Sequence, residues 1–253
     1  MILVVDVGNT HTVIGLYQDT KLTHHWRLVT EAERTADEYG VLLRSLFSSS
    51  DLEFVAVQGI AVSSVVPPMN NTMEELARKY FRLSPLMVGP GVKTGMPVLY
   101  DNPREVGADR IVNAVAAYDR YHEATIIVDF GTATTFDYIT QAGEYLGGSI
   151  VPGIGISMDA LFHKTAKLYR VEMVKPPYVV GRNTVHAIQS GVFYGYTALI
   201  DGMVERIRKE QKAKARVIAT GGFAQLMSAE SATIEEVDEF LTLEGLRLLY
   251  ERN

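Results

Sequence analysis

A short apolar run leading into an Asp-x-Gly turn occurs twice in the chain. Ile2-Leu3-Val4-Val5 leads into Asp6-Val7-Gly8-Asn9-Thr10-His11-Thr12-Val13, and Ile126-Ile127-Val128 leads into Asp129-Phe130-Gly131-Thr132-Ala133-Thr134-Thr135-Phe136. Each copy predicts a buried strand, a tight turn and a second strand returning beside the first. Between and after them the spacing alternates. A third strand is predicted over 21–28, and a helix over 33–47 with Tyr39, Leu42, Leu43, Leu46 and Phe47 on one face. A β-rich run follows over 55–66, ending in Pro67-Pro68, then a helix over 71–81 and a short strand over 86–88.

The stretch from Gly89 to Pro97 is rich in glycine and proline and reads as a loop, the most mobile piece near a site. Asn102-Pro103-Arg104-Glu105 carries the marks of a helix start. Ile111, Val112, Val115 and Tyr118 then recur at helical spacing, which puts Asp109 in the first turn. Residues 119–124 form a polar joint before the second copy, so two domains are expected, 1–118 and 119–253. In the second, a strand over 145–151 turns at Pro152-Gly153 into a helix reaching about residue 162, and 165–181 lack clear periodicity. From Arg182 a long helix runs through Val185, Ile188, Val192, Tyr196, Leu199, Met203 and Ile207. Gly191, Gly195, Ala198 and Gly202 form a second face of small residues, suited equally to packing within the subunit or to a dimer seam. A strand over 216–219 meets the turn Gly221-Gly222, wide enough for a flat adenine ring or for no ligand at all. A helix over 241–250 closes the chain. Strands followed by alternating helices and strands predict an α/β fold with mixed sheets covered by helices.

Composition narrows the class. Of 253 residues, 47% are hydrophobic and 21% charged, which suits a globular enzyme with a full core. The formal charge of −6 and the scatter of Lys and Arg disfavour a nucleic-acid partner. The chain has no cysteine, which excludes disulfides, thiolate zinc sites and a cysteine nucleophile. No apolar run approaches the roughly 18 residues needed to span a membrane, and Asp6 interrupts the first apolar run too early for a signal peptide. A soluble cytoplasmic protein is expected.

The two turns suit phosphate. Glycine lets a backbone approach a ligand, and Asn9, Thr10, Thr132, Thr134 and Thr135 offer side-chain donors beside the turn amides. Each aspartate stands at the carboxyl end of its strand, able to hold magnesium, directly or through water, or another cation bridging phosphate oxygens. One such hairpin alone would be an ordinary turn; two in matched order favour phosphate binding. Neither a Gly-x-x-x-x-Gly-Lys-Ser/Thr loop nor a Gly-x-Gly-x-x-Gly after a strand is present, which disfavours P-loop kinases and dinucleotide enzymes.

With Asp6-x-Gly-Asn-Thr, Gly107-Ala108-Asp109-Arg110, Asp129-x-Gly-Thr-Ala-Thr-Thr, the 147–153 run Gly-Gly-Ser-Ile-Val-Pro-Gly, Gly181-Arg-Asn-Thr184 and the closing Leu241-Thr-Leu-Glu-Gly-Leu-Arg in order, the sequence resembles the type III pantothenate kinases over its whole length. The resemblance implies two ribonuclease-H-like domains, the duplication of the actin-like ATPases, with the active site in the cleft between them. It implies transfer of the γ-phosphate of ATP to pantothenate, the first step of coenzyme A biosynthesis. On it, ATP phosphates lie along Asp6, Val7, Gly8, Asn9, Thr10, His11, Thr12 and Val13 and on Thr132. Asp129 holds potassium or ammonium beside magnesium, pantothenate meets Tyr100 and Gly107 to Arg110, and Thr184 reaches it from the second subunit of a homodimer. His11 stands at a variable position, and Arg182 where lysine is common.

Phosphoryl transfer asks for a base, and Asp109 is the candidate; its ordinary alternative is a helix-start aspartate stabilised by the dipole. Arg110 offers a guanidinium fork for the pantothenate carboxylate, against a surface salt bridge. Tyr100 could equally be a core aromatic. A kinase of another hydroxylated acceptor, sugar or small acid, and a nucleotide-responsive regulatory protein without turnover stay open as alternatives.

Overall fold

The computed structural model describes residues 1–165 and 168–253. Its backbone turns the sequence repeat into a repeat of topology. Strand β1 (Ile2–Val7) pairs antiparallel with β2 (His11–Gln18), and β2 antiparallel with β3 (Lys21–Val29). On its other edge β1 pairs parallel with β4 (Gly59–Ser64), which carries the short parallel β5 (Leu86–Met87). The sheet order is β3-β2-β1-β4-β5. The second half repeats it with β6 (Thr125–Phe130), β7 (Ala133–Ile139), β8 (Tyr145–Pro152), β9 (Arg216–Gly221) and β10 (Glu236–Val237), in the order β8-β7-β6-β9-β10 and the same directions.

By contacts the chain forms two compact units, one of Met1–Pro97, Asp101–Ala116 and Leu241–Asn253, the other of Val98–Tyr100 and Ala117–Phe240. This grouping differs from a single cut after residue 118, because the last helix buries its apolar face on the first sheet.

In the first unit, helix α1 (Ala36–Ser48) and helix α2 (Pro67–Leu76) cover one sheet face. Strand alternation sends Leu3, Val5 and Val7 into a core with Tyr39, Leu43 and Phe47 of α1 and Met69 and Met73 of α2. Each such side chain contributes roughly 1.5–3 kcal/mol by leaving water. Helix α1 begins three residues later than the spacing predicts, at a capping box in which Thr35 and Glu38 satisfy each other's backbone amides. Pro67 and Pro68 do not terminate a strand; they open α2, where a missing amide hydrogen costs nothing. The expected helix over 71–81 becomes the end of α2 and a wider π-turn, Ala77–Phe81, stopped by left-handed Arg82 (φ 59°). Asn102 caps only a single 3-10 turn, Pro103–Glu105, and helix α3 (Ala108–Tyr121) starts beyond Gly107.

The opposite sheet face is covered by helix α7 (Leu241–Arg252) through Leu241, Leu243, Leu246 and Leu249, all buried. Close approach here depends on absent side chains: a Cβ at Gly15 would lie 2.9 Å from Leu243 Cδ1, and one at Gly59 2.1 Å from the Tyr250 ring. Arg247 is buried, yet forks onto Glu244 and Glu251 at 2.6 Å each and lies over the Tyr17 ring. The Glu244 hydrogen bond, opposed by burial and aided by Glu251, raises its pKa above the ordinary arginine value.

In the second unit, Ile126, Val128 and Phe130 of β6 pack with Phe136 and Tyr138 of β7 beneath helix α4 (Ile154–Lys164), helix α5 (Thr184–Gln211) and helix α6 (Ala224–Ser228). Strand β10, only two residues long, is too short to leave a periodic signal. Of the aperiodic 165–181 stretch, 166 and 167 lie outside the described residues, and the remainder is without helix or strand.

Gly245 of α7 faces the α3 backbone so closely that a Cβ there would lie 2.1 Å from Val112 O. Gly245→Ala should therefore destabilise the protein by about 1–3 kcal/mol, read as a lower urea midpoint with an unchanged slope. An unchanged midpoint would show that α7 slides away at no cost.

Candidate active site

The two turns are built alike and differ in one residue. Asp6 is the fifth residue of β1, paired with Val13 and, across the parallel edge, with Ser63; Asp129 is the fifth residue of β6, paired with Thr135 and Thr220. Since alternate residues enter the cores, both carboxylates stand on the face away from the main helical core, one residue before the strand ends. Three residues, Gly8-Asn9-Thr10, link β1 to β2, whereas only Gly131-Thr132 link β6 to β7. The repeat in sequence thus hides a shorter second turn.

In the first turn Gly8 N–H donates to His11 O at 3.0 Å, and Thr30 N–H holds Thr10 O at 3.0 Å. Asn9, Thr10 and His11 are exposed; Val7 is a core residue, and Val13 is partly buried. Thr12 is fully buried, and its hydroxyl pairs with that of Thr30 at 2.9 Å. The Thr12 hydroxyl is therefore already engaged within the first unit.

The second turn exposes Thr132, whose carbonyl accepts from Gly153 N–H at 3.1 Å. The two neighbouring threonines are set differently from Thr132. Thr134 is fully buried, and Thr135 gives its hydroxyl hydrogen to Asp137, itself buried and bound to the Tyr145 hydroxyl at 2.6 Å. Gly221 and Gly153, to which sequence reasoning gave no part in holding the aspartate turn, fit tightly around it. A Cβ on Gly221, whose φ is +88°, would lie 2.6 Å from Asp129 Oδ1; one on Gly153 would lie 2.2 Å from Thr132 O. Gly221 thus makes room for a carboxylate, while the adjacent Gly222 faces open space. The signal was present in the quoted glycine motifs, but only contact geometry shows what each glycine serves.

Asp109 is the second residue of α3 and is partly buried; its Oδ1 accepts the Arg110 amide at 2.8 Å and sits 2.5 Å from where a Gly107 Cβ would be. Gly107 and Ala108 are partly buried at the helix start. Arg110 is 7% exposed, so the surface salt bridge weighed for it is not its setting. Tyr100 is partly buried, not a core residue. It follows Leu99, whose amide donates to Tyr145 O at 2.8 Å, and its ring lies over Gly147, 3.2 Å from a Cβ placed there. Gly147, at φ +129°, thus gives the tyrosine its seat. Thr184 opens α5, exposed, behind its cap Asn183, which accepts from His186 N–H at 2.8 Å. The 89–97 loop is tied to α7: Asn253 exchanges two hydrogen bonds with the Lys93 backbone, and Arg252 donates to Thr94 O at 2.6 Å.

Two five-stranded sheets of one order, each with an aspartate at the same point of its central strand, define an actin-like ATPase fold of the kind found in sugar kinases. Solved structures agree on the fold. A protein from Campylobacter jejuni described as a Baf family transcriptional activator matches with a TM-score of 0.61 at 21% identity, covering 98% of this chain and 97% of that one. Component A of the (R)-2-hydroxyglutaryl-CoA dehydratase from Acidaminococcus fermentans matches at 0.59 and 12%, covering 98% and 95%. The family model for type III pantothenate kinases matches residues 2–206. Type III pantothenate kinases from Citrifermentans bemidjiense and Myxococcus xanthus are each 56% identical over 253 residues, covering all of this chain and 100% and 99% of theirs. One from Anaeromyxobacter sp. (strain Fw109-5) is 58% identical over the full length of both. The chain belongs to the type III pantothenate kinases, phosphotransferases that use ATP to phosphorylate pantothenate in coenzyme A biosynthesis.

Gly221→Ala should displace the Asp129 carboxylate and strain a left-handed backbone. We expect kcat/KM to fall at least about tenfold, a barrier change of about 1.4 kcal/mol, with the fold retained by circular dichroism. Wild-type kinetics in this variant would show that the carboxylate's position is unimportant.

Proposed function

We propose that the two aspartate turns hold the phosphates of ATP while Asp109 accepts the proton of the pantothenate hydroxyl. The observation that carries this reading is the placement of Asp6 and Asp129 at the same position of two identically ordered sheets, each beside an exposed glycine turn. The residues Asp6 to Val13 and Thr132 line the phosphates. The acceptor oxygen attacks the γ-phosphorus, the bond from that phosphorus to the β–γ bridging oxygen breaks, and ADP leaves as the proton passes to Asp109. Most of the rate in such a transfer comes from positioning and charge neutralisation rather than covalent chemistry. The Gly107 to Arg110 stretch supports this, because the helix start holds the Asp109 carboxylate in one orientation through the Arg110 amide. Arg110 meets the pantothenate carboxylate with its guanidinium fork. Tyr100, seated on Gly147, and Thr184 of the partner subunit complete the substrate contacts.

Among the described residues no group of three or more His, Cys, Asp or Glu side chains is arranged to hold a metal ion. That suits magnesium carried with ATP, since this ion keeps water and phosphate ligands and takes one or two carboxylates. Asp6 would hold it, through water. Asp129, with its carboxylate resting where Gly221 has no side chain, would hold potassium or ammonium; the bound cations supply neutralisation of phosphate charge. The exposed, uncovered Gly191 and Gly195 on α5 support a homodimer seam on that helix. Among the described residues no helix is long and apolar enough to cross a membrane. The absence of cysteine and the ATP substrate support a cytoplasmic setting.

Asp109→Asn should retain ATP binding while turnover with pantothenate falls roughly 10²- to 10⁴-fold. A variant that turns over at the wild-type rate removes Asp109 from the base role. ADP release should in addition be faster in potassium than in sodium; equal rates would remove the cation role of Asp129, and turnover with a sugar but not pantothenate would move the acceptor.

A further inference from the structure

Helix α5 reaches the second phosphate turn through one hydroxyl. Tyr196, partly buried, packs its ring against the core of the second unit. Its hydroxyl lies 2.8 Å from Pro152 O, 3.4 Å from Gly153 O and 2.5 Å from Ser157 Oγ. A phenol has one hydrogen to give, and carbonyls only accept, so that hydrogen goes to Pro152 and the Ser157 hydroxyl donates back to Tyr196. The phenol oxygen therefore clamps the end of β8 and the first turn of α4 together.

What that clamp holds is the wall of the Thr132 turn. Pro152 is paired with Ala133 in the β7–β8 register, and Gly153 N–H donates to Thr132 O. The fit is backbone on backbone: a Cβ on Gly153 would lie 2.2 Å from Thr132 O and 2.6 Å from Gly131 O. A shift of a few tenths of an ångström in the Pro152-Gly153 segment would therefore move Thr132, because packed backbone has no soft side chain to absorb the change.

We propose that Tyr196 is a positioning residue for phosphoryl transfer, its hydroxyl fixing the Pro152-Gly153 segment on which the Thr132 turn is seated. This rests on the reading of Thr132 as a phosphate contact. The ring supplies packing and the hydroxyl supplies position, so the two are separable by removing a single oxygen. Pro152 is itself exposed, so water replaces the lost donor and the fold is spared.

The test is steady-state kinetics of the full chain with Tyr196→Phe, Thr132→Ala and the double variant. Tyr196→Phe should raise KM for ATP about three- to tenfold, the scale of one hydrogen bond, leaving KM for pantothenate, kcat at saturating ATP and the melting temperature near wild type. Ser157→Ala, which removes the other partner of the phenol, should shift KM for ATP in the same direction by less. In the double variant the effect of Tyr196→Phe should shrink, because the turn it positions no longer carries the contact. Equal rises in both KM values, or a lower melting temperature with unchanged KM for ATP, would overturn the proposal and leave Tyr196 a packing residue. If Thr132→Ala raises KM for ATP while Tyr196→Phe does not, the clamp alone is wrong. If Thr132→Ala leaves KM for ATP unchanged, the reading of the turn falls and the clamp with it.

Discussion

A carboxylate at the end of an otherwise buried strand is the constraint around which each half of this kinase is arranged. Burying a charge in a core is costly, and a strand end that meets an open turn keeps the carboxylate partly exposed. Both central strands solve this in one way. Leu3, Val5 and Val7 of β1, and Ile126, Val128 and Phe130 of β6, occupy the cores. The aspartates take the alternate face, one residue from the strand end. Glycine then follows two residues later in both, and in the second half Gly221 on the neighbouring parallel strand clears space beside the carboxylate. Strand order, helix cover and turn composition all serve that placement.

The two halves share this plan and divide in detail. The first turn has three residues and a carbonyl held from outside by Thr30; the second has two and is backed by the start of α4. Threonines that look interchangeable in the sequence have separate uses. Thr12 ties β2 to the residue after β3, and Thr135 joins the Asp137–Tyr145 pair that satisfies a buried carboxylate within the β7–β8 edge. A network of this kind rigidifies the outer strands of the second sheet, where Tyr100 also finds its seat on Gly147.

Glycine recurs at the points where backbone meets backbone or an aromatic ring. Gly245 lets α7 approach Val112, Gly59 admits the Tyr250 ring, and Gly153 admits the Thr132 turn. Close packing of this sort transmits displacement rather than damping it. That makes α7 more than a lid on the first sheet: its last residue, Arg252, and Asn253 just beyond it also hold the backbone of the 89–97 loop, whose composition alone suggested mobility.

By itself the sequence determined the elements and the chemistry. Strand alternation, helical spacing and the doubled Asp-x-Gly turn were local signals, and local signals are what periodicity and turn chemistry encode. Asp6 and Asp129 stand out in the sequence because their Asp-x-Gly motif occurs twice, whereas Asp109 is singled out only by the family resemblance. Boundaries moved where capping competed with spacing, as at Thr35 and Pro67. Only tertiary structure decided the rest. It returned α7 to the first sheet, buried Arg110, committed the hydroxyls of Thr12 and Thr135 elsewhere, shortened the second turn and gave Gly153, Gly221 and Tyr196 their neighbours. Those outcomes depend on which surfaces meet across long sequence separations, and such meetings are set by burial and fit between elements, which no stretch of sequence carries alone.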